Sequence, residues 1–353
     1  GLPKTEGVPS KQGFDYWFGY LNQSRAHNFY PEYLWENEEQ YILSGNVEGP
    51  KRNVSTQRKT YSHDVMHTKA LNFIRQHSRK PFFLQAHYTI PHTNNEGGRA
   101  TGNGQEVPDH GEFATKKWPE PEKGFAAMIT RLDSDIGEMM SLLKTLGIDK
   151  NTLVIFTSDN GGGHSEKRKV DGEIRRFNGP LQEGKRSFFE GGSRVPTVIS
   201  GPGIKAGSQC DVPIVQWDFL PTFHDLSGSE APMPPNTDGG SLRHVFKKGN
   251  KGKVKRVAPG IIHHYTCHYH PPISSIIMGD YKLMRHLNSG EFLLFNLKTD
   301  YREEKNLASS MPEKVKEMDA ICQKYVKKVK GGTAEQVRQA HHKVMDHFSQ
   351  QSI

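Results

Sequence analysis

Asp159 and Asn160 are the residues whose type and position most directly suggest chemistry. They follow residues 153–157, an unbroken run of apolar and β-branched side chains that is typical of a strand buried on both faces. In open α/β sheets, ligands bind just beyond the carboxyl ends of strands, and Asp and Asn there offer hard oxygens that suit Ca²⁺ or Mg²⁺. Glycines at 161–163 allow a tight turn at this point. An ordinary Asx turn would use the same residues, so this string alone leaves a cation site and a turn equally open.

Two further segments place polar residues in comparable positions. Residues 184–196 contain a Gly-Lys pair, with Lys185, and then the string Glu-Gly-Gly-Ser-Arg-Val-Pro. Residues 82–87 predict a second buried strand, and His92 follows it within the string Ile-Pro-His-Thr. A histidine in such a position is more often structural than functional, so the residues around His92 have to decide between the two interpretations.

Taken in order, these strings resemble the arylsulfatase family of sulfatases, whose fold is alkaline-phosphatase-like. The resemblance extends from residue 13 to residue 308, and it includes further strings at 13–19, 279–283 and 300–307. It is specific because several separated motifs occur in the order that the family shows. The resemblance implies an enzyme that hydrolyses sulfate esters and acts on a sulfated carbohydrate or an aryl sulfate.

The resemblance also implies roles for individual residues. Asp159 and Asn160 would bind a divalent cation, Ca²⁺ or Mg²⁺, while Lys185 and His92 would contact the sulfate of the substrate. Between these motifs lies a basic, polar segment, which we interpret as a rim that contacts an anionic substrate. A solvated loop would have the same composition. The candidate rim residues are His164, Arg175 and Arg176.

The sequence lacks the nucleophile that the resemblance implies. The family uses a formylglycine made from Cys or Ser in a Cys-x-Pro-x-Arg string, and none of Cys210, Cys267 and Cys322 stands in such a string. An Asp-Asp pair, which would complete the family's metal site, is absent from the sequence as well. Both parts precede residue 13 in the family's order, so we expect them upstream of Gly1. We therefore expect the chain as given to be inactive.

Composition leaves two other function classes open. Lys and Arg number 47 against 39 Asp and Glu, which gives a net charge of +8 and a pI near 9.2. Such a charge favours polyanionic partners, namely nucleic acid, anionic membranes or sulfated glycans, and is compatible with a non-catalytic binding protein. A metal-dependent hydrolase of phosphate or phosphonate esters from the same superfamily is the other alternative.

Among these partners we expect the sulfated glycan, with no nucleic acid and no membrane. The sequence has no run of 18 apolar residues that would predict a transmembrane helix. The resemblance implies an extracytoplasmic location, either secreted or periplasmic, or lysosomal if the source is eukaryotic.

Hydrophobic periodicity predicts the elements that position these residues. Residues 123–146 predict a long core helix, and residues 62–76 predict a shorter one. These helices alternate with the strands predicted at 82–87, 153–157 and 197–199. The alternation predicts an α/β fold with a mostly parallel central sheet flanked by helices. The buried face of the helix at 62–76 is predicted to comprise Met66, Ala70, Phe73 and Ile74.

A change of pattern predicts a second domain. The glycine- and lysine-rich segment at 247–256 indicates a boundary between a partial catalytic α/β domain, 1–250, and a C-terminal α+β subdomain, 251–353. Hairpin signals beyond the boundary predict a small antiparallel sheet with a helix. The last forty residues predict a charged helical tail that packs loosely. Four histidines in this part fit no standard structural zinc pattern: residues 263, 264, 268 and 270.

Overall fold

Two units can be distinguished in the computed structural model of the chain. Unit 1 comprises Gly1–Thr152 with Lys169–Glu173, and unit 2 comprises Leu153–Arg168 with Ile174–Ile353. The domain boundary that we predict near residue 250 stays a prediction. The residues that the structure describes are 5–163, 168–170, 173–175, 177–265, 272–332 and 336.

The described part of unit 1 combines short strands with helices. Its elements are β1 (Phe18–Gly19), β2 (Tyr33–Glu36), β3 (Glu39–Ile42), β4 (Val47–Glu48), β5 (Ser55–Gln57), α1 (Ser62–His77), α2 (Asn95–Thr101) and α3 (Glu120–Thr145). Strands β1, β2 and β3 form an antiparallel sheet in that order, and β4 pairs antiparallel with β5.

Aromatic side chains form the core of unit 1. The Tyr61 ring lies 5.9 Å from the Phe29 ring and 5.2 Å from the Tyr30 ring, and all three side chains are buried. Met128 of α3 packs against this cluster. Helix α3 is the long core helix predicted at 123–146, and Gly147, with φ of 69°, follows its end. The prediction of this helix is confirmed.

The buried face of α1 differs from the predicted one. Met66 and Phe73 are only partly buried, while His63 and His67 are buried although the pattern gave them no role. Burying an imidazole is costly unless it is hydrogen-bonded, and Asp135 of α3 supplies a carboxylate to His63 at 2.6 Å. The buried residues of α1 are Ser62, His63, His67, Ala70, Leu71 and Ile74.

The strand predicted at residues 82–87 is not formed. These residues lie outside any strand or helix, and Phe83 is 50% exposed. A short apolar run is compatible with a strand, but a strand exists only where ladder hydrogen bonds join it to a neighbour. His92 therefore lies in a loop that does not follow a strand.

The described part of unit 2 contains a strand pair, short helices and a larger sheet. Its elements are β6 (Val154–Thr157), α4 (Glu190–Ser193), β9 (Thr197–Ser200), α5 (Phe219–Ser227), α6 (Arg243–Lys248), β10 (Ile261–Tyr265), β11 (Ile273–Met278), β12 (Tyr281–His286), β13 (Phe292–Asn296) and α7 (Pro312–Lys328). Strands β7 (Arg168–Val170) and β8 (Glu173–Arg175) pair with each other.

The strands predicted at 153–157 and 197–199 both exist, and they are partners. β6 pairs antiparallel with β9, so that Val154 lies opposite Ser200 and Thr157 opposite Thr197. Val198 is 62% exposed, which is unlike a strand in the middle of a sheet. A parallel pair is absent from the strand registers described here, because β6 takes its hydrogen bonds from an antiparallel neighbour.

The predicted C-terminal antiparallel sheet is confirmed. Strands β10 to β13 pair in sequence order, and each pair is antiparallel. Helix α7 covers the sheet, and its buried residues recur at helical spacing, which places them on one face. Pro312 occupies the first turn, where its missing N–H costs least. The shared core comprises Ile276, Leu283, Leu294, Val315, Met318, Cys322 and Val326.

Two expectations for the C-terminal part change. The tail was expected to pack loosely, but α7 contributes Met318 and Cys322 to the core, each about 2% exposed or less. The apolar stripe of α7 is what the high charge of this segment obscures. Among the four histidines, His264 bonds to Ser274 at 2.7 Å, while residues 268 and 270 lie outside the described residues.

Over the described residues, we find no helix that is both long and apolar enough to span a bilayer.

Candidate functional site

Asp159 and Asn160 form a tight turn just beyond the end of β6. The Asn160 backbone N–H donates to Asp159 Oδ1 at 2.9 Å, and the Asn160 side-chain amide donates to the Gly161 carbonyl at 3.0 Å. The turn alternative is therefore present in the structure. It is compatible with cation binding, because the remaining acceptors of the two side chains are a carboxylate oxygen and an amide oxygen.

Glycines hold this turn against the second motif by backbone contact alone. A Cβ added to Gly161 would lie 1.8 Å from the Gly191 carbonyl oxygen, and one added to Gly192 would lie 2.3 Å from the Gly184 carbonyl oxygen. The Gly161 N–H donates to the Gly192 carbonyl at 3.0 Å. We call this set, Gly161, Gly162, Gly184, Gly191 and Gly192, the glycine clasp. It explains why both motifs are rich in glycine.

The clasp places Lys185 next to the turn. The Lys185 N–H donates to the Gly162 carbonyl at 2.8 Å, so the lysine backbone is fixed two residues from Asn160. Glu183 and Arg186, which flank the Gly-Lys pair, have φ of 56° and 78°. A left-handed conformation costs a non-glycine residue about 1 kcal/mol, and such strain is often found at functional sites.

A buried ion cluster holds the far side of the clasp. Lys282 of β12 is 1% exposed, and its ammonium lies 2.8 Å from Glu190 Oε1 and 2.8 Å from Glu303 Oε1. Glu303 also accepts the Glu190 backbone N–H at 2.6 Å, at the start of α4. We call Lys282, Glu190 and Glu303 the lysine cluster. Through it, the C-terminal sheet fixes the turn that carries Gly191 and Gly192.

The two carboxyls of the lysine cluster differ in their electrostatics. Burial acts to raise the pKa of Glu190, but the Lys282 ammonium and Arg194 outweigh it, so the pKa lies below its usual range. For Glu303, burial dominates over the same ammonium and raises the pKa. The difference arises because Arg194 serves only Glu190, at 2.5 Å.

His263 of β10 lies in unit 2 among aromatic rings. Its ring centroid is 5.5 Å from that of Phe188 and 5.2 Å from that of Trp217. Burial, together with the nearby Lys282 charge, lowers the pKa of His263 to about 4. The imidazole is therefore neutral at pH 7.

His92 lies in unit 1 beside a second histidine. Its Nδ1–H donates to the Thr93 carbonyl at 2.8 Å, and its ring stacks on that of His27 at 5.3 Å with an interplanar angle of 5°. His27 in turn faces Glu96, at 2.9 Å from Nδ1 to the carboxylate. Since Asp159, Asn160 and Lys185 belong to unit 2, their convergence with His92 stays a prediction.

Family comparisons decide what these motifs belong to. Residues 3–229, more than half of the chain, match the family model described as Sulfatase. The chain belongs to the sulfatase family. Residues 182–331 also match the family model described as N-sulphoglucosamine sulphohydrolase, C-terminal. The resemblance inferred from the separated motifs is confirmed.

Curated relatives of this sulfatase are longer than the chain. Arylsulfatase K of Bos taurus is 30% identical over 217 residues, which cover 59% of the chain and 37% of that relative. N-acetylgalactosamine-6-sulfatase of Rattus norvegicus is 30% identical over 254 residues, which cover 69% of the chain and 43% of that relative. The chain thus spans about two fifths of the length of these relatives.

A solved structure confirms the fold class of this sulfatase. The crystal structure of Ps i-CgsB in complex with k-i-k-neocarrahexaose gives a TM-score of 0.71 at 24% identity, covering 91% of this chain and 68% of that chain. At this identity the likeness concerns the fold alone. It supports the alkaline-phosphatase-like α/β class together with the C-terminal antiparallel sheet.

Three of the predicted site residues are brought together in this sulfatase, and the others are not described in enough detail to place them. Asp159, Asn160 and Lys185 meet at the clasp. His164 and Arg176 lie outside the described residues, and Arg175 is described only through the backbone of β8. The substrate rim stays a prediction.

Sequence reasoning missed the residues that support the site. Lys282 and Glu303 stand within the strings at 279–283 and 300–307, which contributed to the resemblance but received no role. A lysine in a strand is usually solvated, so its type alone gave no signal. The signal that could have found it is the pairing of one lysine with acidic residues in separate motifs.

Sulfatases use a metal ion, and the structure offers two sets of donors for one. Asp159 and Asn160 supply oxygen donors in unit 2. In unit 1, potential ligand atoms of His67, Asp135 and Glu138 all lie within 4.8 Å of one another. The second set was not predicted, because its members come from distant positions in the sequence.

Proposed function

We propose that this sulfatase chain provides the cation- and sulfate-binding part of an enzyme that hydrolyses sulfate esters of a sulfated carbohydrate. The observation that carries the proposal is the hydrogen bond between the Lys185 N–H and the Gly162 carbonyl, at 2.8 Å. It holds a cationic side chain within a few residues of Asp159 and Asn160. An anionic ester oxygen can be stabilised between a bound cation and an ammonium group.

Each side chain has a distinct task in this proposal. Asp159 and Asn160 hold the cation, which is Ca²⁺ with Mg²⁺ as the alternative, because both donors are hard oxygens. Lys185 acts as a point charge on a sulfate oxygen. His92, whose Nδ1 donates to Thr93, presents Nε2 chemistry to another sulfate oxygen. Arg175, Arg176 and His164 form the rim.

The nucleophile of the proposed reaction is a formylglycine, expected upstream of Gly1, and it supplies the oxygen that attacks sulfur. The residues of this chain bind and orient the ester and neutralise its charge. The location we propose is extracytoplasmic, and the substrate class follows the name of the relative N-acetylgalactosamine-6-sulfatase. Oligomeric state has no bearing on this proposal.

Sulfate release tests the proposal. A chain extended upstream, coexpressed with a formylglycine-generating enzyme, is assayed with N-acetylgalactosamine 6-sulfate and p-nitrophenyl sulfate, beside the 353-residue chain. We expect turnover by the extended chain only, and Lys185→Ala should lower kcat by about 10²–10³-fold. The matched control is Lys298→Ala, because the Lys298 side chain is 73% exposed.

Two results would contradict the proposal. Faster cleavage of p-nitrophenyl phosphate than of the sulfate would favour the phosphate or phosphonate ester hydrolase. Full activity of Lys185→Ala would remove the assigned sulfate contact. Retention of a heparin column but not a DNA column, with salt elution compared, separates a glycan ligand from nonspecific polyanion binding.

A further inference from the structure

We propose that helices α1 and α3 of unit 1 carry a binding site for a divalent d-block cation, of which Zn²⁺ is the best fit. The ligands are His67 Nε2, Asp135 Oδ1 and Glu138 Oε2, and His63 orients Asp135. This site uses none of the residues assigned to sulfate or to the Ca²⁺ or Mg²⁺ ion, so it does not rest on the proposed function.

The spacing of these residues places them on facing helix surfaces. His63 and His67 are four residues apart on α1, and Asp135 and Glu138 are three apart on α3. Residues at these spacings share one face of a helix. The two helices pack against each other within unit 1, so the pairs meet across a single contact.

The distances fit a metal centre that has yet to close. His67 Nε2 lies 3.7 Å from Asp135 Oδ1 and 3.2 Å from Glu138 Oε2. Two ligands of a tetrahedral Zn²⁺ with ordinary bond lengths are about 3.4 Å apart. Small side-chain rotations therefore bring all three atoms to bonding distance of one ion.

The surrounding hydrogen bonds orient the ligands. His67 Nδ1 lies 2.9 Å from the Tyr88 hydroxyl, and burial raises the pKa of Tyr88, so this phenol keeps its proton. With its proton on Nδ1, donated to the Tyr88 oxygen, His67 turns the Nε2 lone pair toward the carboxylates. The fully buried His63 donates from Nε2 to Asp135 Oδ2 at 2.6 Å, which leaves Oδ1 for the ion. Such outer partners are typical of metal-binding histidines and carboxylates.

Charge favours a cation at this point. The Asp135 and Glu138 oxygens lie within 4.8 Å of each other, where two negative charges repel. The nearest arginine on α3, Arg131, is already engaged by Asp64 through bonds of 2.7 and 2.6 Å. A mixed imidazole and carboxylate set suits Zn²⁺ better than Ca²⁺, which prefers oxygens alone. The Glu138 side chain is 57% exposed, so an ion can enter from solvent and complete its shell with water.

Zinc titration of the 353-residue chain tests the site. We expect calorimetry to show one Zn²⁺ per chain, and Co²⁺ to give the visible absorption of a low-coordinate centre. Glu138→Gln is the main variant because its exposed position should leave the fold intact, and it should weaken Zn²⁺ binding at least about 10-fold. His63→Ala should weaken it about 10–100-fold, as for other groups that orient ligands.

Control variants distinguish this site from others. His87→Ala removes an exposed histidine of unit 1, and Asp159→Ala removes the candidate Ca²⁺ ligand of unit 2; both should bind Zn²⁺ like the unmodified chain. Binding should also weaken as the pH falls, because the ligand nitrogen must lose its proton. Unchanged Zn²⁺ affinity in Glu138→Gln and His67→Asn, with normal circular dichroism, would overturn the proposal. Loss of binding in His87→Ala or Asp159→Ala would overturn it as well.

Discussion

The lysine cluster of unit 2 and the histidine–carboxylate cluster of unit 1 each bury two acidic groups, but they compensate them differently. In the lysine cluster a single ammonium, 1% exposed, lies 2.8 Å from Glu190 and from Glu303. In unit 1, Asp135 and Glu138 face His63 and His67, and one carboxylate is more than half exposed. The first cluster is closed to solvent and the second is open to it.

The difference concerns whether the positive charge can be exchanged. Lys282 is covalently part of β12, so the lysine cluster always contains its cation and can serve only to hold α4 against the sheet. Imidazoles can be neutral or protonated, and they can bind a metal, so the cation of the unit 1 cluster can come from solution. A fixed cation suits a scaffold, and an exchangeable one suits a binding site.

The largest expected effect is on the fixed cluster. Lys282→Met leaves Glu190 and Glu303 buried together without their ammonium, which should lower the free energy of unfolding by about 3–5 kcal/mol. Urea unfolding followed by circular dichroism measures it. Lys298→Met, at a lysine whose nearest carboxylate is 3.9 Å away and which is largely exposed, should change stability by less than about 0.5 kcal/mol. Equal effects of the two changes would show that the lysine cluster has no special role.

His263 gives unit 2 a pH dependence that the lysine itself does not. The folded protein keeps this imidazole neutral down to its pKa of about 4, whereas the unfolded chain takes up a proton below about 6.5. Stability should therefore fall as the pH drops from 6.5 to 4, by about 2–3 kcal/mol at 1.4 kcal/mol per unit. His263→Phe should lose this part of the slope, while carboxyl titrations remain in both proteins. Parallel pH profiles would contradict the assignment.

Asp135 is the residue on which the unit 1 cluster depends when no metal is added. Asp135→Ala removes the acceptor of the fully buried His63 and should cost about 2 kcal/mol in the presence of EDTA. Asp133→Ala, an exposed position on the same helix, should lie within about 0.5 kcal/mol of the unmodified chain. Thermal unfolding of both variants compares them; a cost for Asp133→Ala as large as that for Asp135→Ala would remove the distinction.

The smallest effect should come from the exposed end of the same cluster. Glu138→Gln should change the metal-free stability by less than about 1 kcal/mol, because its ion pair with His67 is open to water. Added Zn²⁺ should raise the melting temperature of the unmodified chain but not of this variant, whereas Lys282→Met should retain its response to Zn²⁺. A Zn²⁺ response that persists in Glu138→Gln would erase the contrast between the two clusters.

The sequence predicted the elements whose pattern is local and repeated. The stripe of α3 and the hairpins of β10 to β13 were predicted correctly, because periodicity and turn residues are written in neighbouring positions. Asp159, Asn160 and Lys185 were predicted through motifs, and the structure brings them together by a backbone hydrogen bond. The segment at 82–87 was predicted wrongly, since its apolar run says nothing about whether a neighbouring strand is present.

The parts that could not be predicted depend on partners far away in the chain. His63 and His67 looked like polar surface positions of α1 until Asp135, some seventy residues later, was found opposite them. Glu303 lies 113 residues from the N–H of Glu190 that it accepts. Burial of a charged or polar side chain is decided by its compensating group, and single-residue patterns do not contain that group.

The glycine clasp has a consequence for the genetics of this protein. Glycine codons share their first two bases, and every single-base missense change in them encodes a residue with a Cβ. At Gly161 that atom would lie 1.8 Å from the Gly191 carbonyl oxygen, and at Gly191 it would lie 2.2 Å from the Gln182 carbonyl oxygen. These codons therefore have no acceptable neighbours, and a saturation library should recover only synonymous changes there. Variation among descendants of this gene would have to accumulate outside the clasp.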